Sequence, residues 1–576
     1  KGLTLKSLYG IDWTLVQNET FNTPLHGGSY SSGGSSTAGT SNLRIWTWTN
    51  TADYNLEIQK HHLDFLVGVE ASEQKRNVIS RSGTTLSNPD QMYVEASYLT
   101  YSGSGSISES SMFSYISRLT YDWNSRYYLT ANLRRDGLSK LGRKWGNFYG
   151  ISGAWRLSDE AFFKGIPGSD IFDDLKLKAG YGIVGNANVG WYASKSVYST
   201  STYNGSVSYV SSGINDPDLG WEQTATTDVG LSASLWNGRV LFDIDYFHSK
   251  SKDLILDASQ AYSTGIVGSS ISTNLGKILN KGVELSVSGD VIRKKKFTWN
   301  VAFNISFVKN KVLELADDII YSSSTGANIT TEGYSLAQIY TYPTDGVDPE
   351  TGRRVVLVRN DDGTYDRNLL IYRYGKGGAQ LYELDGETRS SHALSDWKPE
   401  IAGNTKPTYY GGLNNTFKYR NWDLNVNFHF SGGNKIVNGM RATLSDCRMW
   451  SGTEEYYKHV WQKPGDKSKY AKPMYNDNYS NGTANLISDL IERGDFIRLQ
   501  SLSLGYSFRT KRWPKELGIS SLRVYAQAQN LFCITGYSGF DPEINSYYNS
   551  ANLRSGLDLN TTPPTRTISF GANVSF

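Results

Sequence analysis

Asp243 and Asp245 stand two residues apart in V-L-F-D-I-D-Y-F, so a β-strand projects both carboxylates to one side. A paired carboxylate can share general acid–base work. Two acids on the polar wall of a hydrated lumen are equally ordinary. Asn360-Asp361-Asp362-Gly363-Thr364, with Asp366, is loosely similar to a calcium loop, but the closing Glu is absent from its required spacing and the stretch reads as a turn. His61-His62 offers two imidazoles at a tight turn with no second ligand pair, and Lys294-Lys295-Lys296 reads as a solvated turn. No catalytic, metal-ligand or cofactor set emerges, so the expectation is a protein that is not an enzyme and has no cofactor. Aromatic residues in long connections give a stronger signal. Trp191, Tyr192, Trp450, Tyr456, Tyr457, Trp461, Tyr537, Tyr547 and Tyr548 carry flat rings, most with a polar tip, suited to stacking on sugar faces or to burial against a protein partner. Packing of loop against loop is the competing expectation for each of them.

The elements that position these residues are strands. The chain has 576 residues with 38% hydrophobic content, yet 13% aromatics, 39 Tyr, 15 Trp, 57 Gly and only 14 Pro. Mean hydropathy is −0.45. No apolar run is long enough for a membrane-spanning helix, whereas Tyr and Trp in excess suit the interfacial girdles of a membrane β-barrel. A secreted, β-rich carbohydrate-binding sandwich would also favour these rings. The net charge of +3 comes with no basic domain or arm, so nucleic acid is not an expected partner. Cys447 and Cys533, both expected in long connections on the same side, are too few for a disulfide framework; two free thiols are the preferred reading, with a bridge between them as the alternative. The start, Lys1 to Lys6, has neither the charged nor the apolar region of a signal peptide and enters a strand directly, as expected of a mature or truncated product.

Alternation of apolar and polar residues predicts about sixteen strands. The clearest are Trp422–Phe430, with Trp422, Leu424, Val426, Phe428 and Phe430 against Asp423, Asn425, Asn427 and His429, and the last stretch, Thr567–Phe576. There Ile568, Phe570, Ala572, Val574 and Phe576 share one face, and ten residues match a tilted crossing of the hydrocarbon layer. Ile497 and Leu499 break parity with Leu502, Leu504 and Tyr506, which reads as a bulge between them or as the end of the bilayer band. Connections alternate between short (Asn124-Ser125, Asn237-Gly238, Arg420-Asn421) and long (Val16–Ser41, Gln74–Ser111, Val184–Thr224, Lys252–Lys281, Lys309–Pro407, Ser431–Asp495, Leu531–Arg566). A sandwich has no reason to segregate loop lengths by sheet end; a transmembrane barrel does. Sixteen strands alone would suffice for a passive porin.

Several stretches resemble the C-terminal two-thirds of the SusC/RagA family of TonB-dependent outer-membrane transporters. They include Y-Y-L-T-A-N-L-R-R-D-G from Tyr127, W-G-N-F-Y-G-I-S-G-A-W-R-L-S-D-E from Trp145, and Leu219-Gly220-Trp221-Glu222. Asp345-Gly346-Val347-Asp348-Pro349 with Thr351-Gly352, Arg498-Leu499-Gln500-Ser501-Leu502, and Gly539-Phe540-Asp541-Pro542-Glu543 follow in order. The resemblance implies an all-β, transmembrane antiparallel β-barrel, with residues 1–576 as about the last 16 strands of a 22-stranded plugged barrel. It implies a C-terminal barrel-assembly signal carried by Ile568, Phe570, Val574 and Phe576. Implied partners are a SusD-like surface lipoprotein acting as a lid, the TonB-ExbB-ExbD complex acting through the missing plug-bearing part, and outer-membrane lipid. The implied cargo is an oligosaccharide or, alternatively, an oligopeptide.

Overall fold

The computed structural model describes residues 2–86, 98–213, 215–261, 263, 270–315, 319–321, 327–375, 380–384, 387–390, 394, 396–446, 452–483, 485–508, 518–546 and 553–576. Its main feature is a 16-stranded antiparallel sheet in which every neighbour in space is also the next main strand in sequence. We number these strands in chain order. The first six are β1 (Leu3–Asn22), β2 (Ser35–Ile58), β3 (His61–Leu86), β4 (Tyr98–Trp123), β5 (Tyr127–Leu138) and β6 (Trp145–Arg156). Next come β7 (Phe172–Asn186), β8 (Glu222–Leu235), β9 (Val240–Lys252), β10 (Lys277–Lys294) and β11 (Phe297–Glu314). The last are β12 (Tyr409–Tyr419), β13 (Trp422–Gly432), β14 (Phe496–Phe508), β15 (Ser521–Thr535) and β16 (Thr567–Ser575). Each corresponds to a strand expected from alternation.

The reason these segments pair is visible in their two faces. Along β1, Leu3, Leu5, Tyr9, Ile11 and Trp13 are exposed on one side, between Thr4, Lys6, Gly10, Asp12 and Thr14 on the other. Phe65, Val67 and Val69 repeat the pattern on β3. A contiguous apolar face of this extent is disfavoured in water and suits hydrocarbon. The opposite face is hydrated and hydrogen-bonded. Asn425 Nδ2 on β13 donates to Asn414 Oδ1 at 2.9 Å and Thr416 Oγ1 at 3.1 Å on β12. At the short-turn end, rings meet across neighbouring strands: Trp123 stacks on Tyr127 at 5.4 Å and Tyr127 on Trp155 at 6.2 Å, and Trp422 lies tilted against Tyr506 at 4.8 Å. This is the placement of an interfacial aromatic girdle.

The short turns follow backbone chemistry. Asn124 and Ser125 both have positive φ, 54° and 51°, which matches the right-handed twist of the flanking strands. The Asn237-Gly238 turn is held by the start of β7 and the residue before it, since Gly238 N donates to Asp173 Oδ2 at 2.8 Å and Trp236 N to Ile171 O at 2.9 Å. The expected bulge occurs at Gln500, the extra residue of β14 where adjacent Asn427 and Phe428 of β13 pair with Ser501 and Leu499. The extra residue offsets the change of parity, so Ile497 and Leu499 oppose Phe430 and Phe428 on the same face on which Leu502 and Leu504 oppose Val426 and Leu424.

Two expectations need correction. Val16–Ser41 and Gln74–Ser111 are not mainly loops. Strands β1 to β4 run 20, 24, 26 and 26 residues, so the hairpins continue well past the roughly ten residues that a membrane crossing needs. Hydrophobic alternation marks only the lipid-facing part of a strand. Ladder hydrogen bonds continue through Ser, Thr and Gly without it, as in Ser80↔Ser104 and Ser82↔Ser102. Cys533 lies within β15 rather than in a connection and is a free thiol; Cys447 lies outside the described residues.

The chain divides into two compact units. The first, residues 1–159, 177–228 and 249–277, contains β1 to β6 and two small hairpins, Val197–Tyr203 with Ser206–Gly213 and Ile255–Ser259 with Ser270–Asn274. The second, residues 160–176, 229–248 and 278–576, contains strands β11 to β16 and the principal hydrophobic core.

Candidate functional site

In the second unit, the connections 315–408, 433–495 and 536–566 fold together at the long-connection end. Their sequence has no sheet-wide alternation, and they form separate small sheets. One is a five-stranded meander, Thr344–Val347, Arg354–Arg359, Tyr365–Tyr374, Gln380–Leu384 and Glu387–Ser390. A second has four strands, and a third joins Lys435–Asn438 to Ile491–Arg493 on one side and, in parallel, to Leu557–Asp558 on the other. These share a core that includes Ile339, Val356, Leu370, Tyr382, Trp397 and Ile487. A core of this size lets the assembly hold its shape instead of behaving as independent loops.

Three arginines fix the connections, Arg354 and Arg498 across different segments and Arg441 within 433–495. Arg354 is fully buried; its Nε donates to Ser480 O at 2.7 Å, its Nη2 to Asn481 Oδ1 at 3.2 Å, and its Nη1 to the Asp489 carboxylate and Gly346 O. Arg441 donates from Nη1 to Glu492 Oε1 at 2.7 Å and from Nη2 to Asp489 O. Arg498, on β14, grips Asp541 with Nη2 at 2.7 and 2.9 Å and Glu543 with Nε at 2.9 Å. The last clamp joins two of the sequence motifs, R-L-Q-S-L and G-F-D-P-E, which the sequence shows only as separate stretches. Charge-assisted forks of this kind are strong and directional.

A tyrosine cluster surrounds a buried acid. Asp477 Oδ1 accepts from the backbone of Tyr479 and Ser480 at 3.1 and 3.2 Å. Burial pushes its carboxyl above the usual carboxylate range, against those hydrogen bonds. Burial, with the Asp477 charge second, also pushes the Tyr372 phenol up to about 12. A phenol at about 12 stays protonated near neutrality.

The expected site residues separate into groups. Tyr456, Trp461 and Tyr537 are buried. Trp461 Nε1 donates to Pro349 O at 2.7 Å, Tyr537 OH donates to Asp558 Oδ2 at 2.8 Å, and Tyr456 packs on Tyr470. In this conformation they pack the assembly, as the competing expectation has it. Tyr457 is exposed. Trp191 and Tyr192 belong to the first unit. There Lys140 Nζ sits 4.5 Å over the Trp191 ring, and Tyr192 OH accepts from Glu109 N at 3.2 Å. Trp450, Tyr547 and Tyr548 lie outside the described residues. Asp243 accepts from Ser232 Oγ, and Asn360–Thr364 is a hairpin turn closed by Asn360 N to Thr364 O at 2.8 Å. Among the described residues, no group of three or more His, Cys, Asp and Glu is placed to hold a metal ion.

Sequence reasoning missed the three arginine clamps. Arg354 stands two residues after Gly352 in Thr351-Gly352-Arg353-Arg354, and that turn is itself a fixture. Gly352 has φ +72°, its N donates to Asp348 O at 2.9 Å, and a Cβ there would enter the Trp461 indole. Gly352→Ala is therefore expected to loosen the assembly by about 1–3 kcal/mol. Faster protease nicking within residues 343–375, with the remaining sheet intact, would register it; unchanged digestion would speak against the fixture.

These features, a 16-stranded meander sheet with an apolar and a polar face and a folded cap at its long-connection end, match a known architecture. The family model described as "TonB dependent receptor-like, beta-barrel" matches residues 2–531. The chain belongs to the TonB-dependent receptor family of outer-membrane β-barrels. Within that family it is of the SusC/RagA type. It is 31% identical over 487 residues to TonB-dependent receptor P39 of Formosa agariphila, covering 80% of this chain and 46% of that protein. It is 27% identical over 507 residues to the TonB-dependent receptor SusC of Bacteroides thetaiotaomicron, covering 81% and 44%. A solved structure titled as the RagAB peptide transporter superposes with a TM-score of 0.80 at 22% identity, covering all of this chain and 60% of that one. The chain thus spans about half the length of the curated relatives it matches. Membership places it in the outer membrane, and a single 16-stranded sheet of this family sets aside the secreted sandwich.

Proposed function

We propose that residues 1–576 are the C-terminal barrel part of a longer, energy-coupled importer of nutrient oligomers, oligosaccharides first. The observation that carries this reading is the cored outer assembly, where Arg354 ties connection 315–408 to 433–495, Arg498 ties β14 to 536–566, and Arg441 braces 433–495 at Glu492, which also holds Ser538. A passive pore has little need of such an assembly, whereas capture and hand-over of a large solute do. A SusD-like lipoprotein closes over it, and TonB-ExbB-ExbD acts through a plug carried elsewhere in the longer protein. The polar strand face then lines the route inward. Tyr457, exposed on the second unit, is a first contact for the solute among the expected residues. Ile568, Phe570, Val574 and Phe576, on the exposed face of the last strand, serve as the assembly signal. An oligopeptide cargo is the second reading, favoured by the likeness to the RagAB peptide transporter.

Uptake separates the two. Cells carrying the full-length protein, with and without its gene, are given labelled neutral oligosaccharides or oligopeptides. The proposal expects gene-dependent oligosaccharide uptake that stops when the proton-motive force is collapsed. Gene-dependent uptake of peptides alone, or uptake indifferent to the proton-motive force, would contradict it.

A further inference from the structure

Two short helices of the outer assembly, Gly439–Leu444 and Glu454–His459, border a cleft of about 300 Å³. Its walls include Asn438, Met440, Leu444, Glu455, Lys469 and Tyr470. The volume falls at the lower end of small-molecule sites. Both helices are anchored by their first residues: Asn438 Oδ1 accepts from Arg441 N at 2.9 Å, and Thr453 Oγ1 from Tyr456 N at 3.2 Å. Arg441, also on the wall, is fixed by Glu492, while its Nε has no hydrogen-bond partner among the described residues. The cleft is therefore built on held elements.

Its chemistry is specific in a way that excludes a strongly charged ligand. Each cation on the wall already faces a carboxylate. Lys469 Nζ lies 3.7 Å from Glu455 Oε1, and Arg441 Nη1 lies 2.7 Å from Glu492 Oε1. A phosphate, sulfate or uronate would have to compete with those partners. What remains is a wall with donors on Lys469 and acceptors on Glu455, together with the apolar Met440 and the half-exposed Leu444, while the Asn438 amide is taken up by Arg441 N, Glu492 and Ser538. A hydroxyl both donates and accepts, and a pyranose ring has an apolar face of C–H groups, so a polyol satisfies both kinds of wall group at once. A peptide backbone supplies amides but no such flat apolar face.

We infer that this cleft is a subsite for one sugar unit of a neutral oligosaccharide. The inference rests on the reading of the protein as an oligosaccharide importer and adds where and how a sugar is held.

The test uses the full-length transporter in detergent, probed with an array of neutral, uronate-bearing and sulfated glycans and with a peptide library. Calorimetry then follows the best-bound member. Leu444→Trp and Met440→Trp fill the cleft from its apolar residues, and Lys469→Ala removes a donor. The expected result is binding to a neutral glycan that weakens by about tenfold or more in the filling variants and severalfold in Lys469→Ala, with an unshifted thermal midpoint. Neutral-glycan binding that the filling variants leave unchanged overturns the subsite while the importer reading stands. Binding of peptides alone overturns both. A uronate or sulfated glycan displaced by Leu444→Trp would keep the cleft as a site but overturn the neutral-sugar assignment.

Discussion

Arg354→Ala is expected to collapse the outer assembly while leaving the membrane sheet in place. The guanidinium is fully buried and satisfies acceptors from three separate segments, at Gly346, Ser480–Asn481 and Asp489. Removing it strands the Asp489 carboxylate, leaves carbonyl oxygens unpaired and opens a void. Breaking a buried, hydrogen-bonded ion pair from one side costs about 3–5 kcal/mol. That is a large share of what a small cored unit can spare. Arg354→Lys retains the charge but not the fork, so it should recover only part of the loss. Limited proteolysis of the purified protein is the readout: rapid cutting in residues 343–375 and 452–490 with a heat-modifiable barrel band still present. A protease pattern identical to the parent would show that the clamp is dispensable.

Val426→Arg is expected to block barrel assembly itself. Val426 lies midway along β13, with Trp422 at the short-turn end and Phe430 towards the long-connection end of the same face. Its cross-strand partners are Asn415 on β12 and Leu502 on β14. A cation at mid-depth on the lipid face costs about 2–4 kcal/mol in a membrane barrel, and less towards the interfaces. Arginine at neighbouring Asn427, on the polar face, should be tolerated far better. The outer-membrane fraction should lose the heat-modifiable form for Val426→Arg and keep it for Asn427→Arg.

The staves were legible because a strand with lipid on one side and water on the other must alternate. Trp422–Phe430 and Thr567–Phe576 carry that constraint at every residue, and the short turns at Asn124-Ser125 and Asn237-Gly238 carry their own backbone signature. Where the constraint stops, so does the signal. Beyond the bilayer β1 to β4 continue as Ser-, Thr- and Gly-rich ladders, which look like loops to any argument from hydrophobicity. The outer assembly is harder still. Arg354 meets Asp489 across 135 residues of sequence, and Arg498 meets Asp541 across 43, with no period linking either pair. The aromatics show the same limit. Tyr457 is accessible while adjacent Tyr456 is buried, and only the tertiary core decides which is which.

The account stands or falls on whether the main sheet faces lipid on one side and a hydrated space on the other. Spin labels placed singly from Trp422 to Phe430 in the reconstituted full-length protein measure this directly. The account predicts a period of two: high oxygen accessibility at positions 422, 424, 426, 428 and 430, and high accessibility to a polar nickel complex at 423, 425, 427 and 429. Polar-complex accessibility on both faces, or no alternation along the strand, would contradict it.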